Sequence, residues 1–246
     1  MLQVPRRTGF SGPTLVRLLA RLTDADAPPP ASSLSSQLSQ WLGWADAIAL
    51  SSALKANAPA TPPAARAADS TEARECARVR AALAGAIVED TTLAGKRRGP
   101  GRPSALPDPV DAQVDYAVYR QRYLTLQQTM ETAIGDLRGR LRGALSGHAP
   151  GMAKLAMVDA VMERVLGARE QSLLGAVPTM LEPHFQRLRQ AEAAALAEAQ
   201  AAGQPATARP GAWLGVFRKD MQSVLLAELD IRWQPLEGLL AALQDS

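Results

Sequence analysis

Few residues in this chain are of types that perform chemistry, and their spacing narrows the choice further. There are two histidines, His148 and His184, and one cysteine, Cys76. His148 falls in a Gly/Pro turn, and His184 stands between Pro183 and Phe185. On a helix, Glu182 and His184 are two residues apart and face different ways, so a shared metal ion is not expected. A single cysteine excludes a disulfide framework and any Cys-based zinc site, and fits a reducing compartment. On the apolar side of its segment, Cys76 reads as a small buried hydrophobe. Gly95-Lys96 has the end of a phosphate-binding loop, but residue 90 is Asp where that loop needs Gly, and Arg97 stands in the Ser/Thr position. Gly9-Phe10-Ser11-Gly12 misses the nucleophile-elbow spacing by one residue. The carboxylates lie among cations at helical spacing, as Glu192 does near Arg187 and Arg189, which reads as solvated surface. No catalytic residue, metal ligand or cofactor is therefore expected.

The one candidate binding segment is basic. Lys96, Arg97 and Arg98 precede Gly101, Arg102 and Pro103, all within a Gly/Pro-rich stretch that cannot form regular structure. A Gly-Arg-Pro core resembles an AT-hook, in which Pro keeps the backbone extended, Gly permits close approach and Arg enters the minor groove of AT-rich DNA. The match is partial, because Pro100 replaces the usual preceding arginine and only Ser104 follows. One such hook would bind weakly and with strong salt dependence. A solvated basic linker is the plainer reading. Arg138, Arg140 and Arg142 form a second cluster, spread around a helix.

The elements that would position these residues are helical. Ala (47) and Leu (33) dominate the apolar set of the 246 residues, and aromatics are 4%. Ala and Leu head the helix-propensity order, while the residues that sheets prefer are scarce. The chain is expected to be all-α: a small N-terminal helical unit, a long antiparallel, coiled-coil-like helical hairpin, and a kinked C-terminal helix. With 27 Lys plus Arg against 24 Asp plus Glu, the net charge of +3 gives no argument for nucleic acid or an anionic surface. The Arg6-Arg7 pair lacks the apolar run of a twin-arginine signal, and no window holds 18 uninterrupted apolar residues, so a cytoplasmic location without membrane insertion is expected.

The N-terminal unit spans 1–54, with helices over Thr14–Asp24 and Ser33–Leu54. Trp41 and Trp44, three apart, would mark its hydrophobic centre or an interface. An Ala/Pro linker follows at 55–69, then a helix over 70–94 capped by Ser70, and the basic linker at 95–107. Asp108-Pro109 opens the longest helix, to about Ser146, with Tyr116, Tyr119, Tyr123, Leu126, Met130, Ile134, Leu137, Leu141 and Leu145 in one stripe. It begins a hairpin over 108–202, whose return strand of helix Pro178 and Pro183 kink or interrupt. After a linker at 203–211, the helix over 212–246 carries Trp233, bends at Pro235 and packs on the hairpin. The aromatic residues Tyr116, Tyr119, Tyr123, Trp41, Trp44 and Trp233 are the expected helix-packing and interface positions.

Several strings together carry a family likeness. Thr8-Gly9-Phe10-Ser11-Gly12-Pro13 runs on to Leu22, and Gln40-Trp41-Leu42-Gly43-Trp44 runs on to Ile48. Tyr119-Arg120-Gln121-Arg122-Tyr123 and Ala227-Glu228-Leu229-Asp230-Ile231-Arg232-Trp233-Gln234-Pro235, continuing to Leu240, complete the set. The chain resembles the bacterial domain-of-unknown-function 3348 family over nearly its whole length. That family supplies no catalytic residues. The resemblance implies a setting beside a MotA/TolQ-type membrane protein and an OmpA-like partner, in loci grouped with Zorya-type anti-phage defence. It therefore implies a cytoplasmic accessory of a membrane motor complex, binding itself or the products of neighbouring genes.

Overall fold

The computed structural model describes residues 13–23, 33–55, 66–94, 114–203 and 210–245, and these form helices with no strand among them. In chain order they are α1 (Thr14–Thr23), α2 (Leu34–Trp41), α3 (Trp44–Lys55), α4 (Arg66–Val88), α5 (Thr91–Ala94), α6 (Tyr116–Ser146), α7 (Pro150–Gly175), α8 (Val177–Ala201) and α9 (Ala212–Gln244). The all-α expectation holds. The basic segment Lys96–Pro103, the Asp108-Pro109 helix start and most of the Ala/Pro linker lie outside the described residues.

The expected boundaries shift where local chemistry intervenes. The helix expected over Ser33–Leu54 is two, because Leu42 turns extended (ψ 113°) ahead of Gly43. Ser33 caps the first piece by accepting a hydrogen bond from the Ser36 amide at 3.2 Å. Ser70 is inside α4 and not its cap. That helix ends at Val88, and Asp90 starts a new turn by accepting from the Thr92 and Leu93 amides while pairing with Arg122 of α6. α6 begins at Tyr116, since the Asp115 carboxylate accepts from the Ala117 amide and fixes the helix start there. At 31 residues it is shorter than α9, which runs 33 residues through Pro235 without a break. A proline removes one hydrogen bond and crowds the preceding turn, but the buried residues flanking it, Trp233, Leu236 and Leu239, hold the helix together.

α6 and α7 pack against each other. Gly147 caps α6, Pro150 starts α7, and Arg138 meets Asp159 across the hairpin. The return path then divides at Ala176, two residues before Pro178, which takes an early position in α8 where its missing N–H costs nothing. Pro183 lies within α8.

The central element is α9, not the hairpin. It is apolar around much of its circumference and buries Trp213, Leu214, Phe217, Met221, Val224, Leu225, Leu229 and Trp233 among others. It touches α1, α4, α5, α6, α7 and α8. Every member of the tyrosine-bearing α6 stripe is buried against this core. So are Leu15 and Leu22 of α1 and Cys76, Leu83 and Ile87 of α4, in one continuous cluster. α1 thus packs with α8 and α9, and α3 lies on α7. The N-terminal helices do not gather around Trp41 and Trp44: Trp41 is half-buried beneath Arg169, and Trp44 is 84% exposed.

Candidate functional site

Three helices each contribute an i,i+4 pair to one polar cluster that runs from the core out to half-buried Glu170. Tyr123 and Gln127 come from α6, Glu228 and Arg232 from α9, Glu170 and Leu174 from α7. Glu228 is fully buried. Its carboxylate accepts from the Tyr123 hydroxyl at 2.8 Å, from Gln127 Nε2 at 2.9 Å and from Arg232 Nε at 2.9 Å. Gln127 Nε2 also donates to the Leu174 carbonyl at 2.9 Å, and Arg232 Nη1 reaches Glu170 at 3.3 Å. Charge pairing and multiple donors offset the large cost of burying these groups.

Beside the cluster, a cleft of about 360 Å³ opens between α6, α7 and α9, with Ile134, Arg138, Met162, Glu163 and Arg232 among its walls. Arg232 lies between the cleft and the buried carboxylate, joining the two.

Burial, reinforced by the Glu228 charge, pushes the Tyr123 phenol well above its ordinary range. Burial likewise raises Tyr116, whose hydroxyl donates to the Pro178 carbonyl. The folded state therefore keeps both protons at pH values above 10 where the unfolded chain has released them. Stability is full below pH 10 and falls as the pH rises beyond it. In an alkaline titration followed by phenolate absorbance, Tyr116 and Tyr123 are expected to ionise only as the helical circular dichroism collapses. All three tyrosines ionising with the helical signal intact would contradict this placement.

Next to the polar cluster is an aromatic one. Phe185 meets Tyr116, Tyr119, Phe217 and Trp213 at centroid distances of 5.4, 5.9, 5.0 and 4.8 Å. Tyr119 accepts from Arg218 Nε at 3.1 Å. The three tyrosines are helix-packing residues, as their spacing implies, and Trp233 is buried with Arg80 over its ring at 5.8 Å.

The second basic cluster is committed to carboxylates. Arg138 forms a bidentate pair with Asp159 at 2.7 and 2.9 Å, and Arg142 bonds both Asp159 and Glu163. Arg140 pairs with Glu72 and Glu75 on α4. The Arg78 guanidinium, with Arg140 beside it, holds the Glu75 carboxyl down at about 2. Reading these acids as solvated faces is corrected here: several are bridges between helices. Glu192 likewise reaches the Gly211 and Trp213 amides and caps α9 across space. His184 bonds Asp220 at 2.9 Å, and Cys76 is buried, which raises its thiol.

Sequence reasoning missed Gln127, Glu228 and Arg232. Their signal was present: a Glu and an Arg four apart on the apolar face running from Val224 to Leu236, and a Gln one turn after Tyr123.

The geometry defines a helical protein whose α9 is enclosed by the other helices and tied to α6 and α7 by buried polar bonds. Residues 1–245 match the family described as "Protein of unknown function (DUF3348)", and the chain belongs to that family. No curated protein and no solved structure matches it. Among the described residues, no helix is long and apolar enough to cross a membrane.

Proposed function

We propose that this protein is a non-catalytic helical accessory, cytoplasmic, that works by offering helical surface to protein partners. The observation that carries this reading is how the buried polar side chains are used. Glu228, Arg232, Gln127 and Tyr123 bond one another across α6, α7 and α9, so their chemistry is spent on holding helices in place. The family resemblance supplies the setting: a MotA/OmpA-like membrane motor complex in Zorya-type anti-phage defence, with itself and neighbouring gene products as partners. Co-expression with those products should yield a stable co-purifying complex or a homo-oligomer by solution mass. A strictly monomeric mass with no neighbour recovered would reject the proposal.

A second reading rests on the Gly101-Arg102-Pro103 core with Lys96, Arg97 and Arg98. Since Arg138, Arg140 and Arg142 are paired to carboxylates, that segment would carry any DNA contact. Substituting Arg97, Arg98 and Arg102 with alanine together should weaken binding to AT-rich duplex at least tenfold. It should also flatten the log–log salt dependence by about 3. Unchanged affinity and slope would remove this reading.

A further inference from the structure

We propose that the outer face of α3, with the flanks of α7, is a docking surface for an anionic lipid bilayer. This goes beyond the accessory role above and does not rest on it.

α7 is covered on two sides. Its acidic residues Asp159, Glu163 and Glu170 turn inward to Arg138, Arg142 and Arg232. The opposite side carries α3, held by Arg164 on Asp46 at 3.4 Å, while Arg169 lies over the Trp41 ring at the end of α2 at 5.4 Å. α3 lies outside α7 as a third layer. At 100° per residue, Asp46, Ala49, Leu50 and Ala53 share the side of α3 that meets α7, and Ala53 is buried there. Trp44, Ile48, Ser51 and Lys55 share the opposite side. Trp44 is 84% exposed, Ile48 51% and neighbouring Leu54 52%.

The charge around this ridge is one-sided. Lys55, Arg164 and Arg169 are exposed and Lys154 of α7 is half-buried, with Arg164 paired to Asp46. Asp46 is the one carboxylate of α3, and the acids of α7 point away. An occupant must therefore be anionic and must accept an indole and two aliphatic side chains.

The shape selects among anionic occupants. The apolar part of the ridge offers roughly 400 Å², about half of the ~800 Å² per partner in a stable protein interface. A partner helix needs a groove to lie in, whereas this face is convex. A bilayer accepts a convex ridge: Trp44 and Ile48 would sit at the boundary of headgroups and acyl chains, where indoles concentrate, with Lys55, Lys154 and Arg169 among the phosphates.

The test is sedimentation of the full chain with vesicles of 70% phosphatidylcholine and 30% phosphatidylglycerol, against pure phosphatidylcholine. Binding is expected to the anionic vesicles only. Trp44→Ala with Ile48→Ala should lower partitioning at least tenfold, and Lys55→Glu with Lys154→Glu at least twentyfold, about fivefold for each charge removed. As a readout independent of the alanine variant's folding, brominated lipid should quench wild-type tryptophan fluorescence, and Trp44→Phe should abolish most of that quenching. No binding to anionic vesicles would overturn the proposal, as would binding unchanged by the α3 substitutions. Loss only when Lys96, Arg97, Arg98 and Arg102 become alanine would place lipid contact on the basic segment and overturn it as well. So would α3 variants that lose a co-purifying protein but keep vesicle binding. Failure on vesicles leaves the accessory reading standing, because that is judged by co-purification alone.

Discussion

Replacing Glu228 with alanine is expected to destabilise the protein by about 3–5 kcal/mol, since it breaks a buried ion pair from one side only. The side chain is fully buried and accepts from three residues at 2.8–3.0 Å. Its removal leaves Arg232, whose side chain is 7% exposed, with only the longer contact to Glu170. The Tyr123 hydroxyl loses its acceptor, and Gln127 keeps only the Leu174 carbonyl. The diagnostic comparison is the double replacement Glu228→Leu with Arg232→Met. It removes both charges, fills similar volume and should recover most of the loss. Chemical denaturation read at constant m-value measures both. A loss under 1 kcal/mol for the alanine variant, or a double replacement no better than the single, would show that the cluster does not bear on stability.

Phe185→Ala should cost a comparable amount, about 3–5 kcal/mol, for a different reason. Phe185 has no exposed surface and stands edge-on to both Trp213 and Phe217, at interplanar angles of 82° and 86°. Truncation opens a cavity where α6, α8 and α9 meet and forfeits the edge-to-face contacts. Phe185→Leu fills most of the space and should cost less than half as much. Thermal and urea unfolding of the pair separates the volume effect from the ring effect. An alanine variant as stable as the leucine one would mean that the site collapses around the gap.

Much of the fold was legible because burial imposes a period. The α6 stripe from Tyr116 to Leu145 could be read residue by residue, since a helix facing a core on one side must repeat its apolar residues every three or four positions. The turn at Gly147–Pro150 and the burial of Cys76 were legible for similarly local reasons. Boundaries were less so. A helix start follows whichever side chain reaches the free amides, so Asp115 decided the start of α6 where Pro109 looked adequate, and Asp90 started α5 within the single helix expected over 70–94. The tryptophans misled because size alone suggests burial. Trp44 faces away from α7, a fact set by the break at Leu42-Gly43 and not by its own neighbours.

The scarcity of histidine and cysteine, the helix-forming composition and the stripes are properties of residue type and spacing, so the sequence by itself determined that this is an all-α protein. It left the partners of those stripes open, because one apolar face fits many others. Only the tertiary structure decided that α9 is the central helix, and that Glu228 and Arg232 meet Tyr123, Gln127 and Glu170 from helices some 60 to 100 residues away. The same packing neutralised Arg138 and Arg142 and left Trp44 at the surface. A charge or an indole acquires its energetic meaning from the dielectric and the neighbours around it, and those exist only once the chain has folded.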